Sequence, residues 1–232
     1  MPTAQPSETI VPPAFLEAAK LEISIHRPSR LLRRDIELVF RPDLEEEYRR
    51  HPAGSASDVD KDEFMRAHLL AIPTWQHSRN DLSEISFEVN EERKELLNNF
   101  DKWSMTLRQR LLPYWSDASC PVQGDAHFGT RTSVIYNELE GLTSLLKYAS
   151  VPIGCCGIVL HPKWQRNAYP VTFFTTAPVD VLQAAVAAIE LEVRDADESV
   201  NRCTKVTNVT TEREEPFEAA FSSNGIDQQQ SA

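Results

Sequence analysis

A long amphipathic stretch around residue 190 constrains the fold of this chain more than any other feature. Apolar residues recur there at alternating steps of three and four: Val179, Leu182, Val186, Ile189, Val193, Ala196 and Val200. This spacing predicts a helix over 179–200 with one continuous apolar face. Pro178 suits its first turn, because that position needs no N–H donor. We interpret the stretch as a core helix that lies on a sheet or in a bundle. The alternative is a partner-binding coiled coil, since the pattern is close to the shortest that specifies one.

Further helices and several short strands follow from the same kind of pattern. Apolar spacing predicts helices over about 91–112 and 132–149, and a shorter one from about residue 58 to about residue 72. Period-two alternation, or a short run of β-branched and aromatic residues, predicts strands at 21–25, 36–40, 85–89, 157–160, 171–176 and 205–209. Helices and strands therefore interleave irregularly. We expect an α+β fold, with a mixed, largely antiparallel sheet of short strands packed by three amphipathic helices.

The two ends of the chain differ in composition from the part between them. Residues 1–13 are polar and proline-rich, which is typical of a disordered arm, and residues 222–232 form a polar tail of the same kind. Clustered glycine, proline and small polar residues predict internal loops at about 51–58 and 113–129. The sequence therefore predicts a single α+β domain over 14–221 between two disordered ends.

The chain is strongly acidic. Its 232 residues carry a formal net charge of −11, so the protein repels nucleic acid and anionic membranes unless a local basic patch overrides the mean. No apolar run approaches the roughly 20 residues that span a membrane, and the first residues lack the pattern of a secretory signal. The four cysteines do not suggest a disulfide framework. We expect a cytoplasmic or nuclear protein with free thiols and no membrane partner.

One loop contains the most suggestive string of polar residues. Within Gln123–Thr130, Gly124 and Asp125 are followed by His127 in the spacing Gly-Asp-x-His. This string resembles the catalytic loop of the aminoglycoside and choline kinase families, His-Gly-Asp-x-His-x-x-Asn, in which the Asp is the catalytic base and the Asn binds magnesium. The resemblance covers eight residues and implies that Asp125 is the base. Glutamine and threonine replace the family's first His and its Asn here. The alternative is a surface loop with a turn-forming Gly-Asp pair.

Cysteine and histidine supply the other candidates for chemistry. A nucleophilic pair of Cys156 with His127 or His161 would use a thiolate activated by an imidazole, although the spacing along the chain does not favour it. The paired Cys-x-x-Cys or His-x-x-x-His spacing of structural zinc sites is absent from the sequence. Adjacent Cys155 and Cys156 would point to opposite faces of a strand. We therefore expect no metal site and no cofactor.

The one dense basic cluster lies near the N-terminus and consists of Arg27, Arg30, Arg33 and Arg34. In an acidic protein, such a cluster is suited to a phosphate or to an acidic partner. The interpretation we prefer is that these arginines pair with the nearby acidic run Glu45–Glu47.

The absence of a complete catalytic constellation favours a non-enzymatic role. We expect an intracellular interaction or regulatory protein that binds another protein, with the 179–200 helix and the arginine cluster as contact surfaces. A small transferase or hydrolase that uses Asp125 and His127 of the 123–130 loop is the alternative, so enzyme activity is left open. A lesser alternative is anion or nucleic-acid binding through Arg27–Arg34, which the net charge disfavours.

Overall fold

The computed structural model describes residues 6–50, 60–153 and 156–209, with the backbone alone for Cys156 and for residues 197–209. The chain divides into two units, Met1–Arg194 and Asp195–Ala232, and the packing below is that of the first. The main sheet has the strand order β1-β2-β3-β7-β4, and β5 and β6 form a separate hairpin. All strand pairs are antiparallel. The strands are β1 (Glu8–Leu16), β2 (Leu21–Arg27), β3 (Leu70–His77), β4 (Ser116–Ala118), β5 (Ser150–Ile153), β6 (Cys156–Val159) and β7 (Ala168–Thr175).

Six helices lie within the described residues: α1 (Arg30–Val39), α2 (Arg41–Arg50), α3 (Lys61–His68), α4 (Phe87–Arg110), α5 (Glu138–Leu146) and α6 (Val179–Val209). The predicted α+β class with a largely antiparallel sheet is confirmed. No helix of the described residues is both long enough and apolar enough to cross a membrane.

The main sheet lies between two layers of helices. One face packs on α4 and on the start of α6, where Leu182, Val186 and Ile189 are buried against the strands. The other face packs on α1, α2, α3 and α5, in a cluster that contains Ile36 and Phe64. The apolar stripe at the start of α6 is therefore core, as its spacing predicts.

Three predicted strands are helical. Residues 36–40 belong mostly to α1, whose start is capped by the Ser29 hydroxyl accepting a hydrogen bond from the Leu32 N–H at 3.3 Å. Residues 85–89 form the start of α4, where the Ser86 hydroxyl accepts from the Val89 N–H at 3.1 Å. Residues 205–209 lie in α6. In the first two cases a serine N-cap outweighs a short alternation of polar and apolar residues.

The helix predicted over 132–149 is shorter than expected. It begins at Glu138, after an Asn137 side chain that accepts from the Glu140 N–H, and it ends where Lys147 takes a φ of 57°. The predicted loop at 113–129 contains strand β4.

The N-terminal prediction needs a correction. Residues 8–13, expected to be disordered, belong to β1 and pair with β2. The predicted loop at 51–58 and the predicted tail at 222–232 lie outside the described residues.

Candidate functional site

The hairpin cleft lies where β6, α5 and the start of β7 meet, and it has a volume of about 210 Å³. Its lining residues come from these three elements, from the segment before α4, from α4 itself and from the turn before β7. They are Leu82, Ser83, Arg93, Glu138, Leu139, Leu142, Gly157, Ile158, Val159, Arg166, Ala168, Tyr169 and Pro170. Apolar walls with a few convergent polar groups are typical of ligand sites.

The apolar walls of this cleft are packed from behind. Leu142, Val159 and Ala168 form a buried cluster with Trp75 of β3. Strand β6 approaches α5 closely at Gly157, where an added Cβ would lie 2.8 Å from a methyl group of Leu139. The hairpin is therefore in direct contact with the helix, and the cleft is a groove along that contact.

A carboxyl group and a phenol with raised pKa values line the polar part of the cleft. Glu138, the first residue of α5, accepts hydrogen bonds from the hydroxyls of Ser119 at 2.7 Å and Thr172 at 2.5 Å. Burial raises the pKa of Glu138 above its usual value. Tyr169 is half-buried, and burial also raises the pKa of its phenol. Its hydroxyl makes no hydrogen bond to any residue in the described part of the chain.

The segment that closes one side of the cleft is fixed by two neighbouring residues of α4. Glu92, whose side chain is 3% exposed, accepts from the backbone N–H of Arg79 at 2.6 Å and that of Asn80 at 3.1 Å. It also accepts from the Asn80 side-chain amide at 2.6 Å. These hydrogen bonds hold the pKa of Glu92 below its usual value, although its partial desolvation opposes them. The guanidinium of Arg93 donates to the Leu82 carbonyl at 2.5 Å.

A larger cleft of about 360 Å³ lies between the end of α4 and β4. Its two arginines already donate to backbone carbonyl groups: Arg50 to Pro113, and Arg108 to Ser116 at 2.9 Å. The lining of the hairpin cleft includes the carboxyl of Glu138 and the phenol of Tyr169, which are suited to bind a polar ligand, so the hairpin cleft is the better candidate.

The predicted catalytic loop Gln123–Thr130 lies elsewhere. His127 contacts Asp101 of α4, with Nε2 2.7 Å from Oδ1. Asp125 is 8% exposed and lies 3.5 Å from the Arg131 guanidinium. Neither Asp125 nor His127 lines either of the two clefts. A catalytic role for these two residues stays a prediction.

Other acidic side chains fix the backbone of the same loop. Asp117 accepts from the N–H groups of Phe128 and Gly129, both at 2.9 Å. Thr130, which occupies the position of the kinase families' metal-binding Asn, donates to Asp43 from its backbone N–H at 2.8 Å and from its hydroxyl at 2.9 Å. These contacts explain how the backbone of residues 128–130 is held in place.

Both ring nitrogens of His161 are engaged in hydrogen bonds within the fold. Its Nδ1 accepts from the backbone N–H groups of Lys163 at 3.3 Å and Trp164 at 3.1 Å. Its Nε2 therefore carries the hydrogen and donates to Glu22 at 2.9 Å. The ring is 2% exposed and stacks on Trp164. In this arrangement no ring lone pair is free to activate Cys156, which begins β6.

The basic cluster does not form one surface. Arg33 is 4% exposed and pairs with Asp62 at 2.8 Å and Glu37 at 3.6 Å. Arg30 and Arg34 are exposed. Arg33 is thus an internal ion pair rather than part of a binding patch.

The preferred pairing with the acidic run is wrong, because Glu45–Glu47 pair instead with Lys61, Arg49 and Arg50. Arg27 lies 3.5 Å from Glu8 of the neighbouring strand β1. Of the four arginines, only Arg30 and Arg34 are exposed.

Sequence reasoning missed Glu138 and Tyr169. A glutamate at a helix start is ordinary, since it favours the dipole there, and a tyrosine in a β-rich run is ordinary core material. In the described ranges, no group of three or more His, Cys, Asp or Glu side chains is placed to hold a metal ion.

Comparison with known proteins identifies relatives of this chain. The chain is 27% identical over 168 residues to a mouse (Mus musculus) protein and 26% identical over 168 residues to a human (Homo sapiens) protein, both named cobalamin trafficking protein CblD. In each case the match covers 72% of this chain and 50% of the relative, so the chain spans about half the length of these curated relatives. The family model described as methylmalonic aciduria and homocystinuria type D protein matches residues 4–188, a range that includes the whole sheet and the hairpin cleft. The chain therefore belongs to the methylmalonic aciduria and homocystinuria type D protein family.

Proposed function

We propose that this protein acts inside the cell in cobalamin trafficking, and that it binds cobalamin together with a partner protein rather than alone. The observation that carries the proposal is the family match over residues 4–188, together with relatives named for cobalamin trafficking. The sequence predicts a protein that binds another protein, and this role agrees with that prediction. Cobalamin trafficking is the more specific function that we propose.

The size of the hairpin cleft supports a shared mode of binding. Pockets that enclose drug-sized ligands have volumes of roughly 300 to 1,000 Å³, and a corrinoid is larger than a typical drug. The hairpin cleft, at about 210 Å³, has room for a substituent on the rim of the corrin ring. The rest of the cobalamin would then lie against the surface and be covered by the partner.

An exposed apolar segment beside the cleft is suited to that partner. Ile85 is 93% exposed and Phe87 is 74% exposed, and the chain enters this segment directly from the cleft residues Leu82 and Ser83. Large apolar side chains with so little cover are typical of interaction sites. The exposed acids at positions 84 and 88 flank them, so the complementary surface would be apolar with a basic rim.

The experiment is affinity purification from cells that produce the tagged chain and are fed radiolabelled cobalamin. The label should co-purify with the chain in an assembly larger than the 26.3 kDa of the chain alone. The double variant Ile85→Ser, Phe87→Ser should lose the larger assembly, whereas Val122→Ser, which alters an apolar residue that is 79% exposed, should keep it.

Two results would contradict the proposal separately. If the purified sample contains no more radiolabel than a mock purification from cells without the tagged chain, the chain does not carry cobalamin. If the radiolabel elutes only with the free 26.3 kDa chain, the chain binds cobalamin without a partner protein, which contradicts the second part of the proposal.

A further inference from the structure

We propose that the hairpin cleft binds a primary carboxamide, with the Tyr169 hydroxyl donating to the amide oxygen and the Glu138 carboxyl accepting from the amide nitrogen. Corrinoids carry such amides on short methylene arms around the ring. The identity of the molecule that carries the amide rests on the proposed function, whereas the chemistry of the cleft does not.

Tyr169 supplies the donor. Its hydroxyl has no hydrogen-bond partner among the described residues, although the ring is half-buried in the wall of the cleft. Burial raises the pKa of this phenol, so it keeps its proton at neutral pH. A phenol that is protonated and unpaired is a donor for a carbonyl oxygen.

Glu138 supplies the acceptor. Each of its oxygens accepts one hydroxyl, from Ser119 and from Thr172, and a carboxylate has about four acceptor positions in total. Its residue is only partly buried, so acceptor positions remain on the cleft side. Glu138 at the start of α5 and Tyr169 at the start of β7 both line this cleft.

The charges around the cleft favour a neutral ligand. Arg93 is occupied by the carbonyl of Leu82 and by the side chain of Asn90, and Arg166 lies 3.9 Å from Asp81. An anion would therefore face the Glu138 carboxyl without a free guanidinium beside it. A cation would face two arginines. A primary amide offers one donor side and one acceptor side without net charge.

The apolar walls are suited to the methylene arm of such an amide. Leu139 and Leu142 of α5 and Ile158 and Val159 of β6 line the cleft. Methylene groups buried between them are removed from water, which stabilises the bound state. The arm length then decides whether the amide reaches Glu138 and Tyr169.

The test is a titration of the full-length, isotopically labelled chain with small probes, followed by NMR. Propionamide should cause saturable shifts at cleft residues. Propionate, which is an anion, and N,N-dimethylpropionamide, which has no N–H, should each bind at least about fivefold more weakly, as expected for a lost hydrogen bond. Equal binding of the three probes, or no shift with propionamide, would overturn the proposal.

Two variants separate the cleft from the rest of the molecule. Tyr169→Phe removes only the hydroxyl and should weaken propionamide about five- to tenfold. Tyr48→Phe removes a hydroxyl on α2, which does not line the cleft, and should leave the titration unchanged. Unchanged binding to the Tyr169→Phe variant would overturn the assignment of the donor.

The final arm uses cobalamin as the probe. In the purified assembly of the chain with its partner, it should displace propionamide from the cleft. If propionamide binds as described and cobalamin does not displace it, the corrinoid part of the inference is wrong while the amide site stands. Failure of the proposed function is detected independently, by loss of radiolabelled cobalamin from the purified assembly.

Discussion

Replacing Glu92 with glutamine tests how the segment that closes the hairpin cleft is kept in place. Glu92 is 3% exposed and accepts four hydrogen bonds from two consecutive residues, Arg79 and Asn80. Three of them come from the two backbone N–H groups and the Asn80 side chain, and the fourth comes from the Arg79 guanidinium. Glutamine has the same shape but replaces one oxygen by an NH₂ group. That group must face N–H donors, whichever way the side-chain amide is turned.

The magnitude follows from the number of hydrogen bonds lost. Glutamine keeps one oxygen for the Arg79 N–H, and the two donors of Asn80 then lose their acceptor. A hydrogen bond to a charged group contributes about 1.5 to 3 kcal/mol, and less where water can replace the acceptor. We therefore expect a loss of about 2 to 3 kcal/mol in the free energy of unfolding. The Arg79 guanidinium adds nothing to this sum, because its side chain is 72% exposed.

Urea unfolding followed by tryptophan fluorescence measures this loss, and hydrogen exchange shows where it acts. The amides of Arg79 and Asn80 should exchange faster in the Glu92→Gln variant. The control is Glu95→Gln, since Glu95 pairs with the same arginine but is 66% exposed. That control should change stability by less than about 0.5 kcal/mol. Equal effects of the two substitutions would refute the reasoning.

The same carboxylate also contributes a pH dependence of known sign. Its pKa in the folded state lies below its ordinary value. The folded state therefore binds this proton less readily than the unfolded state, and the stabilisation by Glu92 is fully present above a pH of about 4.3. It is lost as the pH falls through the folded-state pKa, and the Glu92→Gln variant should lack this part of the acid sensitivity.

Three further predictions concern the fold. In the Gly141→Ala variant, the added methyl group would lie 1.8 Å from the Tyr136 hydroxyl. Thermal unfolding should therefore show that the free energy of unfolding falls by about 2 to 4 kcal/mol. A decrease below about 0.5 kcal/mol would contradict this packing. Burial lowers the pKa of His26 to about 4, so the unfolded state binds the proton more readily, and about 3 kcal/mol of stability should be lost as the pH falls from 6.5 to 4. NMR titration of the His26 ring near its ordinary pKa would contradict that result. Arg33→Ala should cost about 2 kcal/mol, because it removes a buried side chain and leaves the partly buried Glu37 without its cation. Exposed Arg34→Ala should stay within about 0.5 kcal/mol in the same urea unfolding assay.

The sequence predicts elements with one buried face better than elements with two. The start of α6 has a single apolar stripe and was predicted correctly. Strand β3 is buried on both sides, with Ala71 in one cluster and Ile72 in the other, so it shows no alternation. It also contains Pro73, which argues against a central strand. The observed pairs between β2 and β3 are on either side of this proline, so its missing N–H is tolerated.

The candidate site could not be predicted from local pattern. Glu138 and Tyr169 are far apart in sequence, and both line the cleft because α5 packs beside β7. The string around Asp125 can be recognised in the sequence because its residues are consecutive. In the structure, the backbone of this loop is held by hydrogen bonds to neighbouring acidic side chains. The candidate cleft is therefore visible only once the chain is folded, and a role for Asp125 and His127 stays a prediction.

Native mass spectrometry of the affinity-purified assembly tests the central claim most directly. Cobalamin trafficking with a partner predicts a species that contains this chain, a second polypeptide and one cobalamin, and that releases the cobalamin when the two proteins separate. A chain that is observed only as the free 26.3 kDa protein without cobalamin would contradict the account.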